Sequence, residues 1–179
     1  MSKLVEYTLI SADGVLDDPV GLGFMNFRDD AYLRDGLGLL MASEAMLMGR
    51  NFYETNANIW PSRTDHPWAQ RLNSMPKYVF SSTLERADWA NVTIVRGDVV
   101  EGATELKRKS ERDLLIWGHT RLAEVLMASG LIDVLDLSIH PIIAGTGKLF
   151  FRPDQRVNLR LAATKSFSNI VKLTYDCVY

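Results

Sequence analysis

The sequence predicts an α/β fold in which a largely parallel sheet is flanked by helices. Three features carry this expectation. Short apolar runs alternate with helix-period segments along most of the chain. Two of the runs pass through a glycine directly into a helix start, at Gly49-Arg50 and at Gly118-His119-Thr120. From Leu159 to Tyr179 the pattern changes to two alternating segments, the signature of an antiparallel hairpin closing one edge of the sheet.

Leu4 to Ile10 reads as the first strand, ended by the turn Ser11-Ala12-Asp13-Gly14. A helix starts at Asp29 or Asp30 and runs to about Met41, with Leu33, Leu37 and Leu40 on one face. Ala45 to Met48 is a buried strand leading into Gly49-Arg50, after which Asn51, with Glu54 three residues on, reads as a helix N-cap and partial capping box. Lys77 to Phe80 is a third strand, closing in Ser81-Ser82-Thr83. Val92 to Val95 is a fourth, and Val100 to Lys109 is a helix. Leu114 to Trp117 is a strand that breaks at Gly118 into a helix carrying Leu122, Val125 and Leu126, with Gly130 as its C-cap. Val134 to Ile139 is the next strand. The hairpin follows, its second arm placing Val171, Leu173, Tyr175 and Cys177 on one face and Lys172, Thr174 and Asp176 on the other, with Ser166 to Asn169 as the connection.

Composition narrows the function classes. The 179 residues are 47% hydrophobic and 23% charged, as one soluble domain spanning 1–179 requires, and no linker, repeat or low-complexity segment divides them. Twenty Lys+Arg against 22 Asp+Glu leave a net charge of -2, with no field to steer a polyanion or an anionic membrane, so neither nucleic acid nor a membrane is an expected partner. Met1 to Ile10 lacks an export signal, and the apolar runs Leu37 to Ala42 and Ile139 to Ala144 are too short to span a bilayer. With Cys177 as the lone cysteine, the expected location is cytoplasmic, and the Asn91-Val92-Thr93 sequon carries no weight.

Ligands of open α/β sheets bind at the carboxyl ends of strands, where helix N-termini present unpaired N–H groups to anions. Gly49-Arg50 and Gly118-His119-Thr120 supply two such junctions, and Ser81, Ser82 and Thr83 add hydroxyls at a third strand end. Their sum is a nucleotide or phosphorylated-cofactor site, although each alone is ordinary turn chemistry. Gly147-Lys148 is no Walker A loop, because Leu149 follows it and no glycine stands five residues before Gly147. His66, His119 and His140 are scattered and read as ordinary polar or loop histidines, so no metal is expected. Cys177 reads as a small core hydrophobe, and Met41, Met46 and Met48 as core filler.

The order of several segments carries a resemblance. They are Ser11 to Gly14, Leu47-Met48-Gly49-Arg50-Asn51-Phe52-Tyr53-Glu54, Lys77 to Leu84, Trp117 to Leu122, Gly130 to Asp133, and Pro141 through Gly145-Thr146-Gly147-Lys148-Leu149-Phe150. Together they resemble the dihydrofolate reductase-like superfamily and, within it, the family named for the reductase domain of the bifunctional riboflavin-biosynthesis deaminase-reductase. The resemblance covers the chain from about Lys3 to Tyr179. It implies a three-layer fold on a mixed, mainly parallel sheet of about eight strands with an antiparallel last strand. It implies NADPH as cofactor, with Gly49, Arg50, Ser81 and Ser82 around the adenosine 2′-phosphate and Gly118, His119, Thr120, Arg121 and Leu122 around the pyrophosphate. A homodimer is also expected, since dimers are common in the family.

Two departures stand out. Many relatives have a small residue where this chain has His119, whose side chain would narrow the groove or itself contact phosphate. Asn51 to Pro61 follows the pattern of stand-alone reductase-like proteins and lacks the Asp-Asp-Pro segment of the riboflavin-pathway enzymes. Hydride transfer also needs a proton donor, for which Asp13, Asp29 and Asp30 are candidates, Asp30 being the positional analogue of the dihydrofolate reductase carboxylate. Phe24 and Trp60 are candidate walls for a flat substrate. The resulting expectation is an NADPH-dependent reductase of a small pterin- or pyrimidine-like acceptor, similar to the phosphoribosylaminouracil reductase of riboflavin synthesis and to dihydrofolate reductase. The alternatives are a non-catalytic nucleotide-binding protein of the same fold and a purely structural domain.

Overall fold

The computed structural model describes residues 1–16, 20–150 and 156–179. Among these residues eight strands form one sheet: β1 (Leu4–Ser11), β2 (Ala45–Gly49), β3 (Lys77–Phe80), β4 (Val92–Val95), β5 (Leu114–Trp117), β6 (Val134–His140), β7 (Asn158–Ser166) and β8 (Val171–Val178), in the order β4-β3-β2-β5-β1-β6-β8-β7. All neighbours from β4 to β6 pair in parallel, whereas β8 pairs antiparallel with both β6 and β7. The predicted fold class, strand count and terminal hairpin are those observed.

Among the described residues five α-helices cover the sheet: α1 (Asp30–Ala42), α2 (Arg50–Ala57), α3 (Pro67–Ser74), α4 (Val99–Lys109) and α5 (Arg121–Ala128). Residues pointing to opposite faces of each strand build two cores. Leu4, Leu47, Leu114, Ile116 and Leu135 pack under Ala103 of α4 and Leu122, Ala123 and Leu126 of α5. On the other face Val5, Met46, Met48, Val79 and Leu115 pack against Tyr32 and Leu40 of α1, Tyr53 of α2 and Leu72 of α3. Three layers result.

The central strands are buried on both faces, so their few polar side chains must find partners inside. In β1, Glu6 is fully buried and faces the first core, where its Oε1 lies 2.6 Å from Nδ1 of His119. On the second face Tyr7 and Tyr32 share a 2.5 Å hydroxyl contact. Nearby, Lys172 of β8 reaches across the sheet to Asp136 of β6 at 2.8 Å and also pairs with Asp35 of α1. Lys172, on the polar face of the hairpin's second arm, is therefore folded under α1, while Asp176 on that face pairs with Lys3 and Arg160.

Several local expectations are corrected. Asn51 is not the cap of α2; Gly49 holds that position and Asn51 is the second helical residue. Helix α3 was not foreseen, its cues being Pro67 at the first position and His66, whose ring accepts a hydrogen bond from the Trp68 N–H. Met41 lies 55% exposed on the outer side of α1, while Met46 and Met48 are in the core as expected. His119 and His140 are core residues, not loop histidines, and His140 stacks on Phe24 at 4.4 Å between ring centroids. Cys177 packs half-buried against the first core, and burial pushes its thiol up to about 11. No helix among the described residues is long and apolar enough to cross a membrane.

Candidate functional site: a groove between two helix N-termini

Sheet order dictates where a crevice opens. The connection that leaves β2 leads to β3 on one side, while the connection that leaves β5 leads past β1 to β6 on the other. Helix α2 packs on the second core and α5 on the first, so they diverge across the gap between β2 and β5. Such a switch point at the carboxyl ends of parallel strands is where open α/β sheets bind ligands. A groove of about 580 Å³ lies there, lined by Gly49, Arg50, Asn51 and Phe52 of the β2–α2 junction, Thr120, Arg121, Leu122 and Val125 of the β5–α5 junction, and Phe80 and Val99.

The two junctions share an electrostatic property. Asp29 caps α1 by accepting from the Tyr32 amide at 2.8 Å, and Asp98 caps α4 by accepting from the Val100 and Glu101 amides, each at 2.9 Å. Neither α2 nor α5 has a side-chain cap. Gly49 has no side chain to offer, and the buried hydroxyl of Thr120 makes no hydrogen bond. Each helix then begins with an arginine, Arg50 or Arg121, at the end where the helix dipole disfavours a cation. Two helix starts without side-chain caps, each with an arginine at its first position, thus line one groove.

The predicted cofactor residues separate. Gly49, Arg50, Thr120, Arg121 and Leu122 line the groove; Ser81, Ser82, Gly118 and His119 do not. The Ser81 hydroxyl is occupied within its own turn, accepting from the amides of Thr83 and Leu84 at 3.2 and 3.0 Å. Thr83, not Ser81 or the exposed Ser82, supplies the hydroxyl that reaches Arg50, at 2.6 Å from Nη1. Arg50 Nε donates to Glu54 Oε1 at 2.7 Å. Gly118 shapes the turn behind the groove: its φ of +82° is left-handed backbone that favours glycine, and its amide bonds to the Tyr7 carbonyl at 2.7 Å. His119 is turned away from the groove. Its side chain is buried against Glu6 and the Phe150 ring, so it neither narrows the groove nor reaches a ligand there.

An aromatic cluster adjoins the groove through Phe52. The Phe52, Trp60 and Trp68 rings lie 6.3, 6.2 and 5.7 Å from that of Trp117, all of them half-buried. Sequence reasoning singled out Trp60 alone; the signal for the others was Trp117 as the last residue before the Gly118 turn, and Phe52 three residues after Gly49. Phe24, the other predicted wall, is fully buried.

The acid candidates have structural partners. Asp13 accepts from the Ser11 hydroxyl at 2.5 Å and from the Ala144 and Gly145 amides at 3.0 and 2.8 Å. These bonds, the Ser11 hydroxyl foremost, hold its carboxyl at about 2. Asp29 is likewise held at about 2, by the Ser168 hydroxyl first and then the Tyr32 amide. Asp30 is an exposed first-turn residue of α1. Among the described residues no group of three His, Cys, Asp or Glu side chains could hold a metal.

Comparison with known proteins agrees with this architecture. The sequence matches the RibD C-terminal domain family over residues 3–173. The chain belongs to that family. The chain is 30% identical over 138 residues to the uncharacterized protein YyaP of Bacillus subtilis, covering 74% of this chain and 73% of that one. Its fold is shared with a putative riboflavin biosynthesis protein from Shewanella sp. PV-4, with a TM-score of 0.78 at 19% identity and full coverage of both chains. It is shared also with the Thermotoga maritima diaminohydroxyphosphoribosylaminopyrimidine deaminase/5-amino-6-(5-phosphoribosylamino)uracil reductase, at a TM-score of 0.72 and 10% identity. That match takes in 99% of this chain and 57% of the longer protein. The described residues thus share the fold of these two proteins at 19% and 10% sequence identity.

Proposed function

We propose that this chain is an NADPH-dependent reductase that binds the dinucleotide in the β2/β5 groove and reduces a small, flat heterocycle of the pyrimidine or pterin kind. The observation that carries the reading is the pair of helices without side-chain caps, each led by an arginine, converging on one groove. A pyrophosphate would supply the acceptors that their free N–H groups lack. The buried Thr120 hydroxyl, without a partner of its own, fits the same ligand. Phe80 and Val99 give an apolar lining for a base at the β3 side, and Phe52 leads from the groove to the Trp117 cluster, where a planar acceptor can stack. The bound cofactor supplies the hydride; the chain's part is to bind, to orient and to exclude water. The reductase named among the structural neighbours supports a pyrimidine-type acceptor.

One observation favours the non-catalytic alternative. Asp13, held at about 2, is ionised at neutral pH and has no proton to give, and Asp29 is committed in the same way. Asp30, the third predicted acid, is exposed and does not line the groove.

Titration of the protein with NADPH and NADH, followed by tryptophan emission, tests the binding reading. Arg50→Ala is expected to weaken NADPH about 10-fold or more, the scale of one charge-assisted contact, and NADH less. Equal loss for both nucleotides would remove the 2′-phosphate from the assignment, and no binding by the unmodified protein would overturn it. Oxidation of NADPH in the presence of aminopyrimidines or dihydropterins separates the reductase from the non-catalytic binder.

A further inference from the structure

The two arginines that open the groove helices occupy equivalent positions and differ in their surroundings. Arg121 is exposed and has no ion-pair partner among the described residues. Arg50 is engaged twice, through Nε to Glu54 and through Nη1 to Thr83. A guanidinium has five N–H donors, so three of those on Arg50 stay available to a ligand while its charge is balanced by the carboxylate one helical turn away. Both side chains of the pair are close to half-exposed, 42% and 44%, so Glu54 is itself within reach of solvent and of a ligand at the rim.

Position tells which part of a dinucleotide meets this trio. The free helix N-termini lie over the β2/β5 crevice, whereas Thr83 follows the end of β3, the next strand outward. A ligand whose pyrophosphate sits on the crevice and whose base runs outward along Phe80 and Val99 brings its adenosine ribose beside Arg50, Glu54 and Thr83. A carboxylate there accepts a hydrogen bond from a ribose 2′-hydroxyl; an arginine there receives a 2′-phosphate. This chain presents both groups, hydrogen-bonded to each other.

Resting on the dinucleotide reading above, we propose that Glu54 is a specificity-determining residue that limits the preference for a 2′-phosphorylated nucleotide. Its charge repels the added phosphate and cancels part of the attraction of Arg50, while offering a 2′-hydroxyl an acceptor. Arg50 alone would select NADPH strongly; the Arg50–Glu54 pair narrows the gap to NADH.

The test uses the adenosine fragments 2′,5′-ADP and ADP, titrated calorimetrically against the full chain and against Glu54→Gln, which keeps the side chain's shape and removes its charge. The expected result is a gain of about 3- to 10-fold for 2′,5′-ADP, the size of a half-exposed charge interaction, with ADP unchanged or weaker. The gain should shrink as salt is raised, and the part due to direct repulsion between Glu54 and the phosphate should persist when Arg50→Ala is added. An unchanged ratio of the two affinities overturns the proposal. So does a parallel loss of both, which would make Glu54 only a support for Arg50. Binding of neither fragment, nor of NADPH, to the unmodified chain would instead overturn the dinucleotide reading. Far-ultraviolet circular dichroism of each variant checks that it is folded.

Discussion

Helices α1 and α4 begin as isolated helices do, and α2 and α5 do not. Asp29 and Asp98 satisfy the first amides of α1 and α4, and acids, Asp30 and Glu101, follow in the first turn. At α2 and α5 a glycine and an idle threonine take the cap position and an arginine comes next. A side-chain cap is thus present where a helix only has to fold and missing at both helices that face the groove, even though α5 keeps an acid, Glu124, in its first turn. Local rules broken together at one place mark a site more clearly than any of them broken alone.

The contrast can be broken most sharply at Arg121. Arg121→Glu should abolish NADPH binding, by about 100-fold or more, since it exchanges a groove cation for an anion. It should at the same time leave the fold intact or stabilise it by ~0.3–1 kcal/mol, because an acid suits a helix N-terminus. Calorimetric titration and denaturant unfolding read the two effects, and a loss of stability would show that Arg121 serves the fold. Next in size is the cap comparison: Asp98→Ala should cost about 1 kcal/mol of unfolding free energy, while Thr120→Ala should change it by no more than a few tenths. Equal costs would erase the distinction between the two kinds of helix.

The smallest effect is in acid. Asp29 has its carboxyl lowered from 3.8 to about 2, so its contribution to stability is complete above pH 3.8 and is lost as pH falls through 2. In the Asp29→Asn variant that part of the acid limb should flatten. No carboxylate caps α2 or α5, so neither helix adds a corresponding loss. A pH series of thermal midpoints between about 2 and 5 measures the difference.

How much of this was legible in the sequence depends on the range of the interactions. Strands and helices whose apolar pattern is local, such as Leu114–Trp117 followed by Gly118, were placed within a residue or two. The switch-point groove followed from two strand–glycine–helix junctions, because helix polarity and strand direction are set locally. Helix α3 escaped since its eight residues bury only Ala69 and Leu72, too little to show a period. Glu6 and His119 are 113 positions apart, and no local pattern joins them. The clue available was energetic: a carboxylate in the middle of a strand apolar on both faces requires a buried partner. Without that partner His119 read as a loop residue bordering the groove, when its ring is in the core. Thr83 was passed over in favour of Ser81 and Ser82 because which hydroxyl of three faces outward is fixed by the turn, where the Ser81 side chain bonds back to the backbone.

The order β2-β5-β1-β6 has a consequence for biosynthesis. β1 leaves the ribosome before every other strand, yet its neighbours are β5 and β6, starting at Leu114 and Val134. During elongation its two apolar faces and both hydrogen-bonding edges stay without their native partners until most of the chain has emerged. Contacts of such long sequence separation slow folding and expose strand edges to association. A nascent chain arrested before β6 would therefore hold its future central strand open, the form in which a trigger for chaperone capture or for misassembly between neighbouring nascent chains is strongest.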